Sequence, residues 1–297
     1  MLTMEQIPAK TILTTLKYDT SGWFGVDHNM NLYKGCCHGC IYCDSRSRKY
    51  HVEDFDEVRV KENCLSILED EIKRKRIKGI VSIGAMSDCY NPFERELEVT
   101  RGGLIILDKY RLGIALATKS DLVCRDIDIL KMITEKSSCI VKMTITTSDD
   151  DLSKIIEPNV CVSSKRFKAV KELTDNGIFA GILLMPVLPF ITDSEDNIKN
   201  IVRMAHEHGA RFIIAMFGVT LRDIQREYYL KKMTEHFPDL IGKYLEYGDR
   251  YHCPVRDQRR LESIFIEECE RYGILHKMED VIKGYKKTDN SVQSVLF

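Results

Sequence analysis

The chain has 297 residues, 44% hydrophobic and 30% charged, with 44 Lys+Arg against 45 Asp+Glu. This is the make-up of a globular protein long enough to bury a full core, and it excludes collagen-like, coiled-coil and intrinsically disordered chains. A formal charge of −1 leaves no global field to hold a polyanion, so any contact with nucleic acid rests on a local patch.

Residues 1–24 read as an N-terminal segment, and its first part, Met1 to Lys17, has no apolar core followed by a small-residue cleavage site, so no secretory signal is expected. No apolar run approaches the ~20 residues that cross a bilayer, so a cytoplasmic protein without membrane contact is expected. A short extended stretch then leads to Cys36-Cys37-His38-Gly39-Cys40-Ile41-Tyr42-Cys43. The other cysteines are scattered, and the odd total of 11 fits a reducing compartment better than a disulfide framework. In apolar runs such as Ser138-Cys139-Ile140-Val141 they read as small buried hydrophobes. Cys36, Cys40 and Cys43 follow C-x3-C-x2-C, a spacing that brings thiolates onto one metal centre. Zinc usually takes ligands in two separated pairs, and no second C-x2-C exists here. A 4Fe–4S cluster normally takes four thiolates, so three would leave one iron open to a cofactor or substrate.

Beyond the cysteines the pattern repeats. An amphipathic helix over 65–75 precedes an apolar strand over 80–84. A helix over 101–109 leads to a strand over 113–117, and a helix over 126–134 to a strand over 140–145. A helix over 164–176, stopped by Gly177, leads to a strand over 178–185. A helix over 193–207, stopped by Gly209, leads to a strand over 212–217. With a first strand before Cys36 this makes six β/α units, which implies a parallel sheet with right-handed crossovers and fewer units than the eight of a closed barrel. Residues 25–220 form this core. Residues 221–297 read as a mainly helical C-terminal extension ending in a flexible tail.

The cysteine motif and its surroundings, Asn31 to Cys43, resemble the radical S-adenosylmethionine (SAM) superfamily, and within it the spore photoproduct lyase-like branch. The stretches Ser87 to Glu94, Thr118 to Leu122, Arg125-Asp126, Ile156-Glu157-Pro158 and the pair Pro186 and Pro189 are similar to motifs of that branch, so the likeness covers roughly 25–220. It implies a partial TIM barrel of (β/α)6 type and an enzyme that cleaves SAM reductively to a 5′-deoxyadenosyl radical, which abstracts hydrogen from a substrate. The cofactors implied are a 4Fe–4S cluster on Cys36, Cys40 and Cys43, with Cys37 a non-ligand, and SAM. Ser87, Asp88, Lys119 and Thr144 at the strand ends would hold the amino-acid and ribose parts of SAM, and Tyr42 would lie against the adenine. A zwitterion carrying a sulfonium needs such charged partners and an aromatic wall.

The best-known relative repairs a thymine dimer lesion in DNA and uses an extra cysteine to return hydrogen. This chain has Ala85 at that position and Cys89 four residues later, and Cys89 is the candidate donor or relay. The run Arg46-Ser47-Arg48-Lys49-Tyr50 is placed for phosphate contact, whereas the cations of Lys73-Arg74-Lys75-Arg76 end a helix and complement its dipole. The terminal Gln293, Leu296 and Phe297 resemble the peptide by which bacterial repair proteins dock on the sliding clamp. The expected partners are SAM, DNA, the clamp, and an electron donor such as flavodoxin or ferredoxin. Two rival readings stand: radical chemistry on a protein side chain or small metabolite, and a non-catalytic metal- or nucleic-acid-binding module.

Overall fold

The computed structural model describes residues 5–16, 22–76 and 78–287. In chain order the strands are β1 (Gln6–Ile7), β2 (Leu13–Thr15), β3 (His28–Met30), β4 (Tyr33–Lys34), β5 (Arg59–Lys61), β6 (Ile80–Ile83), β7 (Gly113–Thr118), β8 (Cys139–Thr144), β9 (Phe179–Val187), β10 (Ile213–Thr220) and β11 (His252–Pro254). The helices are α1 (Cys64–Lys73), α2 (Glu94–Leu97), α3 (Val99–Lys109), α4 (Ile127–Lys136), α5 (Asp150–Ile156), α6 (Ser163–Asp175), α7 (Glu195–Glu207), α8 (Asp223–His236), α9 (Ile241–Leu245), α10 (Gln258–Tyr272) and α11 (Met278–Tyr285).

Strands β3, β6, β7, β8, β9 and β10 lie side by side in that order and run parallel. These are the six β/α units expected from the sequence, in an open sheet whose edges are β2 and β11, each paired antiparallel to its neighbour. A separate small sheet joins β1, β5 and β4. Alternate residues of the parallel strands face two different cores. Val81, Ile83, Leu116, Val141, Ile182 and Ile213 pack under the crossover helices. Ile80, Ala115, Ile140, Leu183 and Ile214 form the opposite face together with Phe24, Val281 and Tyr285. Helix α11 therefore folds back to close the inner face at the N-terminal ends of the strands. The Tyr285 hydroxyl donates to the Phe24 carbonyl, and the Lys287 amide to Ser138 Oγ at 2.9 Å.

Helix caps follow from short polar side chains. Ser194 Oγ accepts from the Asn197 amide at 3.1 Å to start α7. Asp149 accepts from the amides of Asp151 and Leu152 to start α5. The buried stripe Ile198, Ile201, Val202 and Ala205 holds α7 to the sheet, and α10 of the extension packs alongside it. None of the helices in the described residues is long and apolar enough to cross a membrane.

One residue of the inner face is a lysine. Lys142 shares its row with Ala117 and Gly181, and Phe212 fills the space that a side chain at Gly181 would take. Its ammonium lies 4.4 Å from the Phe24 ring centroid, and burial lowers its pKa to about 7. The unfolded chain protonates this lysine near pH ~10.4. Between that value and 7 the unfolded state binds more protons, so stability rises with pH. Lys142→Met removes a charge penalty on the order of 4 kcal/mol at neutral pH. Its expected effect is a Tm increase of at least about 5 °C at neutral pH, shrinking as the pH approaches about 10. Thermal melts at both pH values check this.

Candidate active site at the carboxyl ends of the strands

The cysteine loop begins with a turn that only glycine can make. Gly35 has φ +81°, and a Cβ there would come within 2.1 Å of the Glu57 carbonyl oxygen. The next amide, of Cys36, donates to the Phe55 carbonyl at 2.7 Å. The loop is then clamped from the other side. The Ile41 amide donates to the Ile156 carbonyl at 3.0 Å, the Asn159 amide to the His38 carbonyl at 3.1 Å, and Asn159 Nδ2 to the Cys37 carbonyl at 2.9 Å. All three motif cysteines are free, with Cys36 and Cys40 buried and Cys43 half-buried. Burial, and secondarily Asp88, pushes the Cys36 thiol up to about 12, and burial likewise raises Cys40. Without metal these two thiols hold their protons, which metal binding displaces.

Three free thiols in one short loop are a donor set that fits an iron–sulfur cluster, whose irons take thiolate ligands. The three cysteines are near enough to influence one another electrostatically.

Behind the loop lies a buried network. The Tyr42 hydroxyl donates to Glu157, which is ion-paired to Arg166. Arg166 Nε also donates to the Cys161 carbonyl at 2.7 Å, and its Nη1 to the Thr144 carbonyl at 3.0 Å. Both members of the pair are fully buried, so each charge depends on the other. The Lys119 ammonium lies 5.7 Å from the Tyr42 ring centroid. Burial acts to lower its pKa, but Cys40 and Cys43 as thiolates, together with Glu157 and Asp88, outweigh burial and raise it, so the cation is held once the loop thiols have lost their protons. Lys119, Tyr42 and the Thr144 backbone are thereby gathered at the ends of β7 and β8.

Asp88 ties these ends together. Its Oδ1 accepts from the Thr118 hydroxyl at 2.7 Å and the Tyr90 amide at 2.9 Å, and its Oδ2 from the Lys119 amide at 2.8 Å. His38 Nδ1 approaches Oδ2 at 3.4 Å, and burial keeps that imidazole below its ordinary pKa although Asp88 opposes this. Ser87 borders a small cavity with Asn31, Tyr33, Gly84 and Cys89. Cys89 itself belongs to the helix-side core with Met30, Tyr33 and Ile83, and burial holds its thiol protonated. Its chain neighbour Asp88 is the residue of this segment that meets the cluster loop, at His38.

Other motif residues form a second buried brace. The Tyr33 hydroxyl donates to Glu94, Arg125 Nη2 pairs with Glu94 at 3.0 Å and Arg125 Nε with Asp126 at 2.8 Å. The Tyr90 hydroxyl reaches Asp126 at 3.0 Å, and Arg101 reaches it at 3.0 Å. Glu94 and Asp126 are fully buried, so this part of the sequence shapes the loop after β6. The sequence marks His38 as a residue of the loop fold and Glu157 as part of a motif, but it does not reveal Arg166 or its pairing with Glu157. The available signal was Arg166 itself, which falls on the buried stripe Ser163, Phe167, Val170 and Leu173 of α6.

Comparison with known proteins agrees with this geometry. Residues 30–201 match the model of the Radical SAM superfamily, and the chain belongs to that superfamily. Its cofactors are accordingly a 4Fe–4S cluster and SAM. An uncharacterized protein of Methanocaldococcus jannaschii is 38% identical over 58% of this chain and 64% of its own length. An uncharacterized protein of Mycobacterium bovis is 24% identical over 74% of this chain and 66% of its own. The chain thus spans about two thirds of the length of each. Among solved structures, spore photoproduct lyase complexed with dinucleoside spore photoproduct shares the fold, with a TM-score of 0.68 at 14% identity over 92% of this chain and 81% of that one. A variant of that lyase with bound AdoMet and the same dinucleoside gives 0.65 at 14% identity, over 85% and 76%.

Proposed function

We propose that this protein is a radical SAM enzyme of the spore photoproduct lyase-like branch, acting on nucleic acid. The observation that carries the chemistry is the cysteine loop, clamped at the carboxyl ends of the parallel strands beside the half-buried cation of Lys119. Cys36, Cys40 and Cys43 hold the cluster. When bound, the cluster and SAM supply a one-electron cleavage that yields methionine and a 5′-deoxyadenosyl radical, the electron coming from a flavodoxin- or ferredoxin-like donor. Lys119 binds the SAM carboxylate, with Ser87 and Thr144 as polar neighbours. Tyr42 forms the wall against the adenine, its ring fixed by Glu157. Asp88 acts through its ties to Thr118, Lys119 and Tyr90, which set the spacing of β6 and β7.

A nucleic-acid substrate is supported by the likeness of fold to a lyase solved with a dinucleoside lesion. Ala85, together with the packing of Cys89 in the helix-side core, favours a product radical quenched without a thiol from this loop. Docking on the sliding clamp belongs to the same reading, but Gln293, Leu296 and Phe297 lie outside the described residues.

The test is 5′-deoxyadenosine release from reduced, reconstituted protein with SAM and either ultraviolet-irradiated or untreated DNA. Stimulation by irradiated DNA is expected. SAM cleavage indifferent to both would move the substrate to a protein side chain or metabolite. Lys119→Ala is expected to weaken SAM binding by about 10-fold or more, the loss of a charge-assisted contact. Equilibrium dialysis with labelled SAM measures it.

A further inference from the structure

On the outer side of the cysteine loop, residues 46–55 and α8 enclose a cavity of about 500 Å³. Its inner wall is Arg46, whose guanidinium lies 3.8 Å from the Tyr228 ring centroid and 4.9 Å from that of Phe55. Arg46 is 8% exposed and paired with Asp56, and its buried Nε has no hydrogen-bond partner. This wall adjoins the cluster loop: the Arg46 amide donates to the Cys43 carbonyl at 3.3 Å. The lining carries both signs: Arg48 and His51 are exposed cationic or ionisable groups, and Glu53 and Asp54 are carboxylates.

We infer that this cavity binds one nucleotide, and, resting on the nucleic-acid reading above, a nucleotide of the substrate strand beside the reacting one. An acidic protein surface would be repelled by Glu53 and Asp54, and a bare anion would leave the aromatic wall unused. A nucleotide satisfies every feature. Its phosphate meets Arg48, its base lies against the half-buried Tyr228 that Arg46 backs, and the N–H edge of the base donates to Glu53 or Asp54. Aromatic platforms interleaved with cations are how single strands are held without sequence preference, and the volume is that of a small-ligand site.

The test is fluorescence anisotropy with a labelled single strand of about 12 nucleotides, with free mononucleotide as competitor. It uses reconstituted wild type and the variants Tyr228→Leu, Ile224→Trp, which fills the cavity, and Arg48→Gln. Iron content and thermal transition verify that each variant folds. Tyr228→Leu and Ile224→Trp are expected to weaken strand binding by about tenfold or more. Arg48→Gln is expected to reduce the salt dependence by about one unit of log–log slope. Mononucleotide binding that Ile224→Trp abolishes, without strand binding, would keep the site, assign it to a free nucleotide and remove the nucleic-acid substrate. Strand binding unchanged in all three variants would overturn the site and leave that substrate reading standing. A wild type that binds neither ligand would overturn both.

Discussion

Replacing any one of Cys36, Cys40 or Cys43 by alanine is expected to abolish 5′-deoxyadenosine release and reduce the iron retained after reconstitution to a small fraction of wild type. The three thiols are free and close enough to act on one another electrostatically. Loss of one thiolate leaves an iron of the cluster without its protein ligand. Cys37→Ala and Cys89→Ala serve as controls. The Cys37 carbonyl is what Asn159 holds, so its thiol is dispensable to the clamp. Cys89 lies in the helix-side core, where alanine removes only a small buried group. Both controls are expected to keep iron and SAM cleavage. Retained iron in Cys40→Ala, measured by absorbance and metal analysis, would refute the ligand assignment.

The second large effect concerns stability. Glu157→Gln leaves Arg166 charged, fully buried and without its carboxylate, and breaking a buried pair this way costs about 3–5 kcal/mol. The expected Tm loss is roughly 6–15 °C for a chain of this size. The same substitution weakens the anchor of the Tyr42 hydroxyl, so the cluster loop loosens together with the fold. In the double variant Glu157→Gln with Arg166→Met no buried charge is stranded, and part of the loss is recovered. Calorimetry on the two variants separates these contributions. A Tm within about 2 °C of wild type for Glu157→Gln would show that the pair is not the buried brace described here.

The parallel sheet was legible because its strands are short, almost continuously apolar runs between amphipathic helices, each buried on both faces. The cluster ligands were legible because C-x3-C-x2-C is a local pattern. What escaped the sequence depends on long-range contact. Residues 252–254 read as part of a helical extension, yet they pair as β11 against β10 because that edge of the sheet needs a partner. Helix α11 carries an amphipathic pattern but no sign that it returns to close the inner face with Phe24. Asp88 stood out as a polar strand-end residue, but only the structure reveals that its oxygens are already bonded to neighbouring strand ends. Cys89, next in the chain, joins the helix-side core beneath the loop.

The most direct measurement is quantification of 5′-deoxyadenosine and methionine after anaerobic reconstitution with iron and sulfide, reduction, and addition of SAM. Equal amounts of the two products, absent from the Cys40→Ala protein, are expected. A well-folded protein that carries zinc in place of iron and leaves SAM intact would contradict the radical SAM assignment of this site.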